Sequence, residues 1–208
     1  MRRFLLLVHR VPVRGAFTLN DLAGGGGRMD EVARAVSTAF TLSNDLRRDT
    51  EMTILFAAEP AGDARRIDLV GARLRYLNPD ERSTAALLKN GLARAATYPH
   101  EFESSPGLRV GPVDRLAVLT EFLERPGAIW LTEGGSPIAD WEGPPGELAA
   151  VLCDPYDPSP EEAERLTASG VPRLSVGPLV LRTSQVIDAV HRELDLRSLR
   201  HPAGSPPG

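Results

Sequence analysis

The chain has 208 residues, 42% hydrophobic and 25% charged, the ordinary composition of a globular protein that can bury a sizeable core. Its single cysteine, Cys153, excludes a disulfide framework and a zinc-thiolate cluster and points to a reducing, cytoplasmic setting. The net charge of −4 is unevenly spread: residues 1–110 hold 16 basic and 13 acidic side chains, residues 111–208 hold 8 and 15. All of the basic residues but Lys89 are arginine, a bias that suits phosphate and base edges and that high-GC coding also produces without any function.

The opening MRRFLLLVHR has too short an apolar run for a signal peptide, and no stretch approaches the roughly 18 apolar residues of a membrane span. Residues 4–8 (FLLLV) and 52–58 (MTILFAA) are short apolar runs typical of buried strands. Between them Met29, Val32, Ala33, Val36, Ala39 and Phe40 recur at helical spacing, which predicts an amphipathic helix with Arg28, Glu31 and Arg34 on its polar face. Residues 67–76 alternate weakly, as one or two short strands, and 81–97 predict a second helix that ends at Tyr98-Pro99.

The second half predicts a helix over 113–123 and strands at 128–131 and 148–152. Ser159-Pro160-Glu161-Glu162 combines an N-cap serine, a first-turn proline and an N3 glutamate, so a helix starts there and runs to about Gly170. A short strand at 172–176 and a helix over 183–194 follow, then a flexible tail, 201–208. Alternating strands and helices predict an α/β fold, a parallel sheet with helices on both faces, in a single domain over residues 1–200.

Residues 24–30, GGGGRMD, raise the question of a phosphate loop. A P-loop needs Gly-Lys-Ser/Thr, whereas Gly27 is followed by Arg28-Met29. A dinucleotide fingerprint needs a tight strand-turn-helix, whereas a long segment separates Val8 from Gly24. Glycine-bearing segments after the later strands, Thr132-Glu133-Gly134-Gly135 and Ser175-Val176-Gly177-Pro178, join Cys153-Asp154-Pro155 as loops that could form one pocket at the carboxyl edge of the sheet. His9, His100, His191 and His201 show no metal-ligand spacing, and neither a Ser-His-Asp order nor HExxH is present.

Four segments together carry a resemblance: Gly27-Arg28-Met29-Asp30 through Ala33-Arg34, the run from Phe40 to Thr50 (FTLSNDLRRDT), Asn78-Pro79-Asp80-Glu81-Arg82-Ser83, and Ser175-Val176-Gly177-Pro178. In order and spacing, over nearly the whole chain, they resemble the archaeal-type tRNA pseudouridine-54 N1-methyltransferases and their bacterial relatives, SPOUT-class enzymes that use S-adenosylmethionine. The resemblance implies a C-terminal trefoil knot, a homodimer, and a donor pocket built from Leu131, Cys153, Val176, Gly177, Pro178, Leu179, Val180, Leu181 and Val186. It implies tRNA or another structured RNA as partner, without metal or membrane.

Asp30 is then expected as base or orienting group beside Arg28, with Arg34, Arg47, Arg48, Asn78 and Arg82 contacting RNA and Asp49 and Glu81 bracing the arginines. The glycines of GGGGRMD are expected to give clearance to the RNA strand, and the basic first half to form the RNA face. The chain departs from the family pattern at Cys153, where glycine is usual, at Val186, where cysteine is usual, and at Ser184-Gln185, where Asp-His is usual. Those departures leave two alternatives: a catalytically decayed RNA-binding relative, and a SPOUT enzyme that acts on another nucleotide.

Overall fold

The structure, a computed structural model, describes residues 1–57 and 64–200; the end of the strand expected at 52–58, the tail 201–208 and His201 lie outside the described residues. The elements in chain order are β1 (Arg2–Val8), α1 (Met29–Phe40), β2 (Thr50–Phe56), β3 (Arg65–Val70), α2 (Glu81–Ala95), β4 (Phe102–Ser105), β5 (Leu108–Pro112), α3 (Arg115–Leu123), β6 (Ala128–Pro137), β7 (Leu148–Cys153), α4 (Pro160–Ala168), β8 (Arg173–Ser175) and α5 (Thr183–Arg200). All eight strands join one sheet in the order β4-β5-β3-β2-β1-β7-β6-β8.

The run β2-β1-β7-β6-β8 is parallel, but β3, β5 and β4 extend it antiparallel, so the wholly parallel sheet expected from the sequence is corrected to a mixed one. The cause is local. Pro106-Gly107 makes a tight turn between β4 and β5, with Gly107 at φ 80°, and a hairpin can only pair its strands antiparallel.

β1 lies at the centre and is buried on both faces, which explains its unbroken apolar run. Phe4, Leu6 and Val8 pack with α1, α2 and α5, while Leu5 and Leu7 pack with α3 and α4. On the second face the antiparallel extension is not covered in the same way. Thr53 and Asp68 meet there across β2 and β3 at 2.6 Å, and this polar face accounts for the weak alternation of the sequence in β3.

α4 opens with the full capping box at Ser159 and Glu162, as its sequence predicts. α1 starts without a side-chain cap. Its N-cap, Arg28, sits in the left-handed region at φ 72°, the one non-glycine among the described residues with positive φ. The glycines before it are packed against their own chain: a Cβ on Gly26 would lie 2.4 Å from the Leu22 carbonyl oxygen and one on Gly27 2.0 Å from that of Arg10. Gly26 and Gly27 therefore make room for their own chain rather than for an RNA strand, while Gly24 and Gly25 are exposed. Asp21 also accepts the amides of Gly24 and Gly25 at 2.9 and 2.7 Å, so the amides a phosphate would need are occupied.

Candidate active site

The carboxyl ends of β7, β6 and β8 open into a cleft of about 690 Å³. Its walls are the three loops singled out in the sequence. β6 loses register with β8 between Leu131 and Ser136, which pushes Thr132 and Glu133 out to one side. The chain leaving β7 supplies Cys153 to Pro158, and the chain leaving β8 supplies Ser175, Val176 and Leu179 to Thr183. The carboxyl edge of parallel strands is where α/β proteins place ligands, because the strands end there and the loops diverge.

Of the expected donor-pocket residues, Leu131, Cys153, Val176, Leu179, Val180, Leu181 and Val186 line the cleft. Gly177 and Pro178 belong to the same loop but are not among its lining residues. Leu179 and Val180 are about three-quarters exposed, apolar surface that a bound ring or alkyl chain would cover. The Ser175 hydroxyl donates to the Gly177 carbonyl at 2.8 Å and folds the loop back, and Gln185 accepts the Arg182 amide at 3.0 Å at the start of α5. Thr183 donates to the Cys153 carbonyl at 2.9 Å and ties α5 to β7. Burial raises the Cys153 thiol above its ordinary range, with Glu162 and Asp154 adding to the rise, so this side chain stays neutral.

A buried charged cluster lies beside the cleft that the sequence did not reveal. His9, directly after β1, holds Asp154, directly after β7, at 2.8 Å through Nδ1 and Glu162 of α4 at 2.9 Å through Nε2. Arg115 of α3 bonds Glu162 and donates to the carbonyls of Val8 at 2.6 Å and Leu55 at 2.9 Å. Burial lowers the His9 pKa, but the two carboxylate bonds outweigh it and raise the group to about 9. Glu162 is drawn down to about 2, since His9 and Arg115 overcome the cost of its burial. His9 is thus held toward its protonated form; its Nδ1 and its backbone amide hold Asp154 at 2.8 and 2.9 Å, and its Nε2 reaches Glu162 of α4, with Arg115 Nη2 3.1 Å away. In the sequence these residues are far apart. Only the pairing of Leu7 with Cys153 across β1 and β7 brings them together.

The arginines divide into two groups. Arg28 and Glu31 line the cleft; Asp30 does not. Arg28 grips Asp30 at 3.0 and 3.1 Å and Glu31 at 2.9 Å, while Arg34 reaches Asp30, Glu31 and Glu81. Burial would raise the Asp30 carboxyl, but its bonds from Arg28 and Arg34 hold it below its ordinary range, so it is a poor proton acceptor and a good brace. Glu31, expected on the solvent face of α1, is buried.

Arg47 and Arg48 lie elsewhere. Arg47 bonds Asp195 of α5 at 2.8 Å, beside Arg2 at the amino end of β1, and Arg48 holds the carbonyls of Gly71 and Leu74. They sit at the amino edge of the parallel strands, roughly 20 Å from the cleft by the rise of a seven-residue strand. Arg82 donates to Leu19 and Asn20, while Asn78 gives its carbonyl to Thr84. Many arginines of the first half are therefore engaged in internal ion pairs, among them Arg2, Arg3, Arg28, Arg34 and Arg47, and the strands of the two halves lie side by side in the sheet, β4-β5-β3-β2-β1 beside β7-β6-β8.

A family described as "Putative SAM-dependent RNA methyltransferase" matches residues 1–199. The chain belongs to that family. It is 38% identical to a Haloferax volcanii protein named tRNA (pseudouridine(54)-N(1))-methyltransferase, over 94% of this chain and 96% of that one. A Methanocella arvoryzae protein of the same name is also 38% identical, over 95% and 100% of the two chains. The crystal structure of Archaeoglobus fulgidus Nep1 bound to S-adenosylhomocysteine superposes with a TM-score of 0.59, covering 96% of this chain and 99% of that one at 14% identity. That likeness shows that the two chains share a fold. Among the described residues no helix is long and apolar enough to cross a membrane.

Proposed function

We propose that this chain is an S-adenosylmethionine-dependent methyltransferase that methylates N1 of pseudouridine in tRNA, at position 54. The observation that carries the reading is the 38% identity, over nearly the whole length of both chains, with proteins named for that reaction. The cleft supports it physically. Its volume falls within the roughly 300–1,000 Å³ of small-molecule sites, its Leu131, Leu152, Val176, Leu181 and Val186 walls suit an adenine ring, and its neutral Cys153 adds no charge. S-adenosylmethionine, when bound, supplies a methyl group activated by its sulfonium. The chain's own work is to hold the flipped nucleotide in line with that methyl group and to keep water out.

In this reading Leu179 to Leu181 and Val186 cover the donor, Arg28 and Arg182 offer cationic contacts at the cleft mouth, and the His9 cluster keeps the 154–158 wall in place. Asp30 orients Arg28 and Arg34 rather than taking the proton. The chain forms a single domain, tied in the C-terminal trefoil knot of SPOUT enzymes, and works as a cytoplasmic homodimer. A mass near twice 22.5 kDa in solution tests the last point.

Calorimetric titration with S-adenosylhomocysteine and nucleoside mass spectrometry of unmodified-N1 pseudouridine tRNA treated with protein and donor test the reading. Saturable binding and appearance of 1-methylpseudouridine are expected. No binding would leave the decayed RNA-binding relative, and a different methylated base would leave the alternative SPOUT activity.

A further inference from the structure

Glu31 has two unequal oxygens. Oε1 accepts from Arg28 at 2.9 Å and from Arg34 at 2.8 Å, with the Arg182 Nε 4.0 Å away. Oε2 is buried and accepts no hydrogen bond among the described residues. Its side chain, 3% exposed, belongs to the lining of the cleft. A buried carboxylate oxygen without a donor is costly, and at the wall of a cleft a ligand N–H can supply the missing bond.

The nucleobase has that group. Pseudouridine is joined to its ribose through carbon, which leaves N1–H free; uridine presents a C–H at the corresponding place on the ring. An acceptor there separates the two bases by a whole hydrogen bond. Arg28 and Arg182, also in the cleft lining, are donors of the kind the neighbouring ring carbonyl requires. Asp30, one residue away, cannot serve in the same way, because Arg28 holds both of its oxygens and Arg34 one of them as well.

We infer that Glu31 is the residue that reads pseudouridine: its Oε2 accepts the N1–H hydrogen bond and takes that proton as the methyl group is transferred. In that step N1 gains the methyl carbon, the carbon–sulfur electron pair returns to sulfur, and the N1 proton passes to Glu31 and then to solvent. The inference rests on the methyltransferase reading above and adds to it the source of base selectivity.

The test compares stem-loops that carry uridine, pseudouridine or 1-methylpseudouridine at one position, bound to protein saturated with S-adenosylhomocysteine. The wild-type protein should prefer the pseudouridine stem-loop by at least about tenfold over both others, which lack the N1–H. In Glu31→Gln the arginines keep the amide oxygen on their side and turn the amide nitrogen, a donor, toward the base. The variant, held at saturating S-adenosylhomocysteine, should lose the preference to within about twofold and, given S-adenosylmethionine instead, methylate at least about a hundredfold more slowly. Equal wild-type affinity for all three stem-loops, or an undiminished preference in a folded Glu31→Gln, would overturn the inference. Failure of the wild type to bind S-adenosylhomocysteine would instead remove the methyltransferase reading itself. The wild-type series needs no mutant, so it decides the matter even if the variant does not fold.

Discussion

The part-buried His9 and the buried His191 should give this protein a stability maximum near pH 6.5, and His9→Gln should remove its alkaline side. His9 is raised from 6.5 to about 9 in the folded state by Asp154 and Glu162 against the opposing effects of burial and Arg115. The folded protein therefore keeps a proton that the unfolded chain releases. This contribution is complete below pH 6.5 and is lost as pH climbs through 9; at about 1.4 kcal/mol per pH unit it amounts to about 3 kcal/mol. His191 behaves in the opposite sense. Burial, together with the charges of Arg47 and Arg2, lowers it to about 4, its Nε2 lies 3.1 Å from the Ala39 carbonyl, and its contribution is present above pH 6.5 and lost as pH falls through 4. Urea unfolding at fixed pH values between 5 and 9 measures both limbs, and the alkaline one corresponds to roughly 6–12 °C in Tm for a chain of this length. Glutamine at position 9 can still donate to one carboxylate but cannot titrate, so its stability should be flat from pH 6.5 to 8.5. An alkaline limb as steep in His9→Gln as in the wild type would refute the protonated-histidine bracket.

Gly27→Ala should cost at least about 2 kcal/mol, because its Cβ would enter the Arg10 carbonyl at φ 59°, whereas Gly134→Ala, left-handed but with open space around it, should cost about 1 kcal/mol; urea midpoints compare them. Arg47→Ala should leave the salt dependence of RNA binding unchanged, since its guanidinium is committed to Asp195, and should instead speed amide exchange in the second half of α5. A fall of about one in the log–log salt slope would return Arg47 to the RNA interface.

Sequence patterning reached the parallel core because β1, β2, β7 and the start of β6 are short apolar runs, and it reached α4 because the capping box is a local code. It missed β4 and β5 for a physical reason. Their pattern, FESS-PG-LRVGP, carries one clear signal, the Pro-Gly turn, while a sheet face left partly in contact with water does not demand a continuous apolar run. The glycines of GGGGRMD were legible as a special backbone site but not as a packed one. Whether a glycine clears space for a ligand or for its own chain depends on a contact such as that of Gly27 with Arg10, which no spacing encodes.

The candidate site shows the same boundary. The loops after β6, β7 and β8 could be placed together because parallel strands must end on a common edge, and they line one cleft. The roles of the arginines could not be read in that way, since an arginine in a motif has the same letter whether it is free or spent. Arg47 and Arg48 stand in the most specific stretch of the chain, yet their guanidiniums hold Asp195 and the carbonyls of Gly71 and Leu74. A sequence motif therefore marks what the fold cannot replace, whether or not it touches substrate. The same reasoning moves attention from Asp30, both of whose oxygens are spent, to Glu31, which keeps one oxygen in reserve at the cleft. Chemistry at a buried site falls to the group whose hydrogen-bonding capacity the fold leaves unfilled.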